Sequence, residues 1–517
     1  MNLDLTRRTI LGGVAAAIIG RAQAQDETAI AETASGRIRG KRENGVHIFK
    51  GVPYGAPTTG RRFLPSTKPQ PWTNVRDAFE YGPRAFQFRT DGPVNRSQPE
   101  SEDCLVLNVW TPGLRDNGKR PVMFWCHDGG FAYGAGASPR TDGTNLARKH
   151  DVVVVTINHR LNIFGYLYLG EAGGSEFAES GNAGMMDIVL ALHWVKDNIA
   201  YFGGDPNNVT IFGQSGGGSK VSCLMAMPAA RGLFHKAIVQ SGSGIRMIER
   251  EPAARTAAEA LAAAGLGKHQ VRELQQIQPE RLLEVAGAIT HFKGGVGTSG
   301  PQILRPVVDA RVLPTHPFDP VAPRISASIP MIVGTTAQET GLIYRDPPLD
   351  EAAMRAKVKD SVGDAGDRLI EGYRKWMPGV SPTDLYVAIS TDGMRMRAIT
   401  QSERKAALGK APVYMYLFQF QHPVQKAFHT IDIPFAFDNV DLNKNTTGSG
   451  PESYQLADRH SRAWVAFART GNPGHAGIPV WPAFDAGDRR TMLIDKEWMV
   501  EGDPLSEGRR LMRAAGI

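Results

Sequence analysis

Cysteine is scarce. The 517 residues hold three, Cys104, Cys126 and Cys223. An odd count leaves at least one thiol free, and three are too few for a disulfide framework. None falls in a Cys-x-x-Cys pair or a Cys/His cluster, so a structural zinc site does not organise this chain and no metal is expected. Long apolar runs are also missing. No stretch could serve as a membrane anchor, although 42% of the residues are hydrophobic. The formal charge is +7, but the basic residues are scattered and no Lys/Arg run is interleaved with aromatics, so a nucleic-acid footprint is not supported. A mild preference for anionic partners is compatible with that charge. There is no internal repeat. What remains is an ordinary globular composition in a chain long enough for one large domain with lobes.

The N-terminus stands apart. "LTRRTILGGVAAAIIGRAQAQ" pairs Arg7 with Arg8, continues with a short apolar stretch from Ile10 to Gly20, and offers Ala22-Gln23-Ala24 as a cleavage site. This is the layout of an export signal, and the Thr6–Leu11 segment resembles a twin-arginine signal. A general secretory signal with incidental arginines is the alternative. Residues 1–24 are therefore set aside, and 25–517 is expected to be a single exported domain, periplasmic or secreted, in a bacterium. Removing three Arg and one Asp leaves the mature chain at +5.

Six apolar runs read as buried strands: "PVMFWCH" (121–127), "DVVVVTIN" (151–158), "NVTIFG" (208–213), "KAIVQSG" (236–242), "IPMIVGTT" (329–336) and "VYMYLFQF" (413–420). Helical periodicity lies between several of them, as in "DIVLALHWVKDNIAYF". Alternation of this kind predicts an α/β fold with a mostly parallel sheet. Helical lobes are expected near 251–300 and near 350–410. "GGVGTSG" (294–300) and "NKNTTGSG" (443–450) read as loops.

The run "VTIFGQSGGGSKV" (209–221) is strand-like up to glycine, then becomes helix-compatible. Gly-Ser-Gly is ordinary loop material, and G-x-S-x-G alone is a weak signal in a glycine-rich chain. Placed between a strand and a helix, it reads instead as a tight turn that exposes the Ser215 hydroxyl at the carboxyl end of the sheet. A serine nucleophile needs a base, and the base an orienting acid. Glu339 lies just past a strand end, and His422 and His429 follow the last strong strand. Spacing alone does not choose between the two histidines. An oxyanion also needs donors. Gly129 and Gly130 in "WCHDGGFAYGAG" let backbone N–H groups approach a carbonyl, and Gly216 adds a third at a helix N-terminus.

Several motifs together resemble the type-B carboxylesterases, the cholinesterase/carboxylesterase branch of the α/β-hydrolases, in their bacterial para-nitrobenzyl-esterase-like form. They are "FKGVPYGAP" (49–57), "GRRFLP" (60–65), "SEDCLVLNVWTP" (101–112), "HDGGF" (127–131), "INHRLNIFGYL" (157–167), the segment 181–217, "QSGSG" (240–244), "RPVVDARVLP" (305–314), "HTIDIPFAF" (429–437) and "ARTGNPG" (468–474). The resemblance spans about residues 30–490. It implies an α/β-hydrolase fold and a cofactor-free ester hydrolysis. Ser215 is the implied nucleophile, Glu339 the acid and His429 the base. Gly129, Gly130 and Gly216 map to the oxyanion hole. Asp432 and Ile433, following His429, favour it over His422.

Four departures matter. Ala85 stands where the family often has a cysteine that bonds the one at Cys104, so three free thiols are expected. Asp128 replaces the first glycine of the oxyanion motif. Its side chain is expected to point away from Ser215, held by an arginine or backbone N–H groups, and aspartate also tolerates the left-handed conformation. Gly216 stands where alanine is common. No tryptophan lies between Ala85 and Cys104, which argues against choline esters. The substrate is thus a small-molecule ester, with pockets expected from the helical lobe and the 294–300 loop. An amidase or carbamate hydrolase using the same triad is the alternative. A non-catalytic binding protein of this fold would be expected to lack a triad member, and all three are present.

Overall fold

A computed structural model of the chain describes residues 27–88, 98–290 and 303–517. The export segment and the 294–300 loop therefore lie outside the described residues. Among those described, the strands in chain order are β1 (Glu27–Thr33), β2 (Gly36–Glu43), β3 (Val46–Pro53), β4 (Val75–Asp77), β5 (Val106–Thr111), β6 (Arg120–Cys126), β7 (Val153–Ile157), β8 (Gly204–Gln214), β9 (Lys236–Gln240), β10 (Ile248–Glu249), β11 (Val307–Val308), β12 (Met331–Thr336), β13 (Val413–Phe418), β14 (Arg490–Ile494) and β15 (Met499–Gly502). Thirteen form one sheet in the order β1-β2-β3-β5-β7-β6-β8-β9-β12-β13-β14-β15, with β4 on β2; β10 and β11 make a separate pair. From β7 to β14 every pairing is parallel; the outer strands on both sides pair antiparallel except β4, which runs parallel to β2.

The six strands expected from the apolar runs are six of the seven in this parallel run, β14 being the seventh. Their central residues are apolar because both faces are covered. In β6 the side chains alternate: Val122, Phe124 and Cys126 enter one core, Met123 and Trp125 the other. The first core is closed by the helix Ala183–Asn198, which buries Met185, Ile188, Leu192 and Val195. The second is closed by the helix Pro451–Thr470 through Leu456, Trp464 and Phe467. This is the α/β-hydrolase architecture.

Arg250–Ala263, Val271–Leu274 and Pro279–Thr290 form the helices of the first lobe region, and Glu351–Val362, Gly366–Trp376 and Pro382–Ala406 those of the second. The stretch 443–450, read from sequence as a loop, contains a helical turn at Lys444–Thr447. Two motif arginines are buried in ion pairs. Arg160 holds Asp187 at 2.7 Å, and Arg62 holds Glu102 at 2.5 Å while also donating to the Gln275 and Ile277 carbonyls of the first lobe. The charged residues of "GRRFLP", "SEDCL" and "INHRL" thus tie elements together.

Candidate active site

β8 runs straight into the turn at Ser215. The serine has φ 55° and ψ −123°, well outside the helical and extended regions. Such a conformation costs of order 1–3 kcal/mol and persists only where neighbours enforce it. Here the Ser215 N–H donates to the Gln240 carbonyl at 2.8 Å, and its own carbonyl accepts from Ser219 at 3.1 Å as the helix Gly216–Leu224 begins. The small neighbours are a packing requirement. A Cβ on Gly217 would lie 2.0 Å from the Cys126 carbonyl oxygen, and one on Gly216 would lie 2.2 Å from the Gly130 oxygen. The alanine common after the serine in the family has no room in this chain. Ser215 itself remains partly accessible at the carboxyl end of the sheet.

The loops after β12 and β13 are stitched to each other. The Gln338 N–H donates to the Ala427 carbonyl, and the Ala427 N–H donates to the Gln338 side chain, both at 3.0 Å. This pairing sets Glu339 opposite His429. The Glu339 side chain is fully buried. One oxygen accepts from the Thr336 N–H at 2.9 Å, and the other lies 2.5 Å from His429 Nδ1. Burial alone would push the His429 imidazole down. The Glu339 charge and hydrogen bond outweigh it, helped by Asp432 and Asp128, so its pKa is raised above the ordinary 6.5.

His429 Nε2 does not reach Ser215 by a hydrogen bond in this structure. Its partner is the Gln214 side-chain nitrogen at 3.1 Å, one residue before the serine. His422 is elsewhere: its Nδ1 accepts from the Val424 and Gln425 N–H groups, and its Nε2 faces the Asn445 carbonyl, so it shapes its own turn. Of the two histidines left open by spacing, only His429 joins Glu339.

The loop after β6 supplies the remaining groups. Gly129 and Gly130 have φ 87° and 62°, and a Cβ on Gly129 would strike the Tyr133 carbonyl at 2.2 Å. Asp128 is not in the left-handed region, contrary to what its place in a glycine motif allows; the two glycines after it make the turn. Its carboxylate does turn to an arginine, accepting from Arg140 at 2.8 Å. Burial would raise its pKa, but the charge and hydrogen bond of Arg140, with Lys220 nearby, hold it below the ordinary value. Each carbonyl here is occupied. His127 O and Gly130 O accept from the Lys220 ammonium, Asp128 O faces His127 Nδ1, and Gly129 O accepts from the Ala132 and Tyr133 N–H groups. The Gly129 and Gly130 N–H groups donate to no acceptor among the described residues, and Gly216 leads its helix, where the first N–H groups lack intrahelical partners. Gly130 and Gly216 are in contact, which sets this loop against the residue that follows Ser215.

Sequence reasoning missed Gln214, Lys220 and Arg140, and used Asp432 only as a motif marker. Asp432 is fully buried and accepts from Gln240 and Tyr416, each at 2.9 Å; burial raises its pKa. Lys220 follows the serine by five residues in an otherwise small and apolar helix. A lysine at a position that must be buried is the one signal that could have singled it out. The three cysteines are unbonded and buried, and burial pushes the Cys126 and Cys223 thiols up to about 12 and Cys104 higher still. Among the described residues no His, Cys, Asp and Glu side chains group as a metal site, and no helix is long and apolar enough to cross a membrane.

The family model described as "Carboxylesterase family" matches residues 27–508. The chain belongs to the carboxylesterases. It is 36% identical over 491 residues to the para-nitrobenzyl esterase of Bacillus subtilis (strain 168), covering 93% of this chain and 98% of that protein. It is 35% identical over 490 residues to the phenmedipham hydrolase of Pseudarthrobacter oxydans, covering 90% and 95%. The crystal structure of a Geobacillus stearothermophilus carboxylesterase superposes with a TM-score of 0.83 at 38% identity, covering 93% of this chain and 99% of that one. This carboxylesterase therefore shares both sequence and fold with its relatives along nearly its whole length.

Proposed function

We propose that this carboxylesterase works through an acyl-enzyme on Ser215, with His429 as base and Glu339 as the orienting acid. The single observation that carries the reading is the 2.5 Å contact between buried Glu339 and His429 Nδ1, made beside the residue that precedes the serine. With Nδ1 committed to the carboxylate, Nε2 is left to take a proton. Substrate entry exchanges the Gln214 amide for the Ser215 hydroxyl at Nε2. The serine oxygen then attacks the ester carbonyl as His429 removes its proton. The oxyanion is met by the N–H groups of Gly129, Gly130 and Gly216. The imidazolium returns the proton to the departing alcohol. Water, activated by the same histidine, releases the acid and restores the serine.

The substrate is a small uncharged or anionic carboxylic ester; choline esters are disfavoured. Amides and carbamates would need stronger protonation of the leaving nitrogen by His429. The test is pre-steady-state hydrolysis of a p-nitrophenyl ester. A burst of one p-nitrophenol per chain, absent in Ser215→Ala, is expected; a burst that survives this substitution removes the serine from the mechanism. A matched ester, amide and carbamate panel then ranks the leaving groups. We further propose that residues 1–24 direct export and are cleaved, placing the enzyme outside the cytoplasm.

A further inference from the structure

Lys220 is a fully buried lysine that belongs to no ion pair among the described residues. An unpaired interior cation is costly to bury, and a methionine would fill the same space without that cost. What the ammonium does have is two acceptors, the His127 carbonyl at 2.9 Å and the Gly130 carbonyl at 2.8 Å, with the Phe131 ring 5.5 Å away. These two carbonyls bracket the loop that carries the Gly129 and Gly130 N–H groups. Between them, the Asp128 and Gly129 carbonyls are held by His127 Nδ1 and by the Ala132 and Tyr133 N–H groups. In a trans peptide the N–H points opposite to the carbonyl. Fixing the Asp128 and Gly129 oxygens therefore aims the Gly129 and Gly130 hydrogens. Lys220 pins the ends of the segment so that this aim is kept. It also sits on the helix that begins at Ser215, so one side chain couples the serine turn to the donor loop.

We propose that Lys220 is a positioning residue of the esterase reaction: by clamping the His127 and Gly130 carbonyls it fixes the Gly129 and Gly130 N–H groups against the oxyanion formed at Ser215. This rests on the reading of Ser215 as nucleophile and of the glycine N–H groups as its oxyanion donors. Burial pushes the Lys220 ammonium down to about 8, with the Asp128 carboxylate among the groups opposing the shift.

The experiment compares wild type, Lys220→Met, Lys220→Gln and Ser215→Ala, with sites counted by the p-nitrophenol burst and p-nitrophenyl butyrate as substrate. A trifluoromethyl ketone of the same acyl chain, whose hemiketal oxygen occupies the hole, is the second probe. Lys220→Met is expected to lower kcat per site by roughly 10²-fold, the range for losing an oxyanion donor. KM should stay within about threefold, and the ketone should weaken in parallel with kcat. Lys220→Gln, which can still donate to one carbonyl, should recover part of the loss. The proposal is overturned if kcat per site in Lys220→Met stays near wild type, or if the ketone binds as before. Failure of both Lys220 variants to fold would assign the lysine to stability and overturn it too. Turnover by Ser215→Ala would instead sink the serine reading, whatever Lys220 does.

Discussion

On the proposed mechanism, His429 carries the pH dependence of this enzyme. It must be neutral to accept the serine proton, and Glu339 raises its pKa above 6.5. Activity should therefore fall as pH drops through that raised value, so the acid midpoint of kcat/KM lies above pH 6.5. Glu339→Gln removes the raising charge but keeps the burial that lowers the pKa. Its midpoint should move downward while the rate falls, and a midpoint that stays put would show that Glu339 does not face the working histidine. Ser215→Ala and His429→Ala should each remove nearly all turnover, and the double variant should lose little more, because the pair acts as a unit. His422→Ala should stay active. At Asp128 the carboxylate is engaged by Arg140. Asp128→Gly is then expected within roughly tenfold of wild type, about 1.4 kcal/mol in barrier. Asp128→Val, β-branched and unable to accept from Arg140, should lose much more. Steady-state kinetics on purified variants decides each case.

At the scale of elements, the serine turn depends on backbones that touch. Gly217→Ala would drive a methyl into the Cys126 carbonyl of the neighbouring strand, where nothing flexible can yield. Overpacking of this kind costs about 1–3 kcal/mol or more, and here the displaced backbone leads directly into the donor loop. Activity should fall further than the melting temperature suggests. The Arg62–Glu102 pair works differently. It joins the segment after β3 to the first helical lobe through the Gln275 and Ile277 carbonyls. Arg62→Met alone leaves Glu102 buried and uncompensated, at about 3–5 kcal/mol. Adding Glu102→Leu should recover much of that. Denaturant unfolding of the two variants checks it: equal losses in single and double variants would mean that the carboxylate is not the source of the cost.

For the whole molecule, the thiols and the N-terminus give independent tests. All three cysteines are buried and unbonded. A thiol reagent should therefore count none in the native enzyme and three after denaturation without reductant, and reductant should change neither activity nor melting temperature. A denatured count of one would reveal a disulfide. For export, the mature protein is expected to begin at Gln25. Replacing Arg7 and Arg8 by Lys should block export by the twin-arginine route; unimpeded export would point to the general secretory route.

Much of this molecule is legible along the chain because its signals are local. The central strands must be apolar on both faces, so Val122–Cys126 and Val153–Ile157 announce themselves as runs. The serine turn must be glycine-rich because β8 and the following helix meet too closely for side chains. Asp128 shows where locality ends: its sequence position marks a departure, but its ion pair with Arg140 is made only in the fold. Spacing does not choose between His429 and His422 and the motif around Asp432 favours the first, but the contact of His429 with Glu339 is three-dimensional, made by hydrogen bonds between the loops after β12 and β13. Gln214 is visible only as a neighbour of the serine until the fold brings His429 Nε2 within 3.1 Å of it. Lys220 is the sharpest case. In sequence it is one lysine among many, and only tertiary packing removes it from water and leaves two carbonyls of the donor loop as its partners. Strand pattern and turn chemistry act within a few residues, so the sequence by itself determined the centre of the sheet and the serine turn. Burial and the pairing of distant loops depend on the whole chain, so only the tertiary structure decided which polar groups meet.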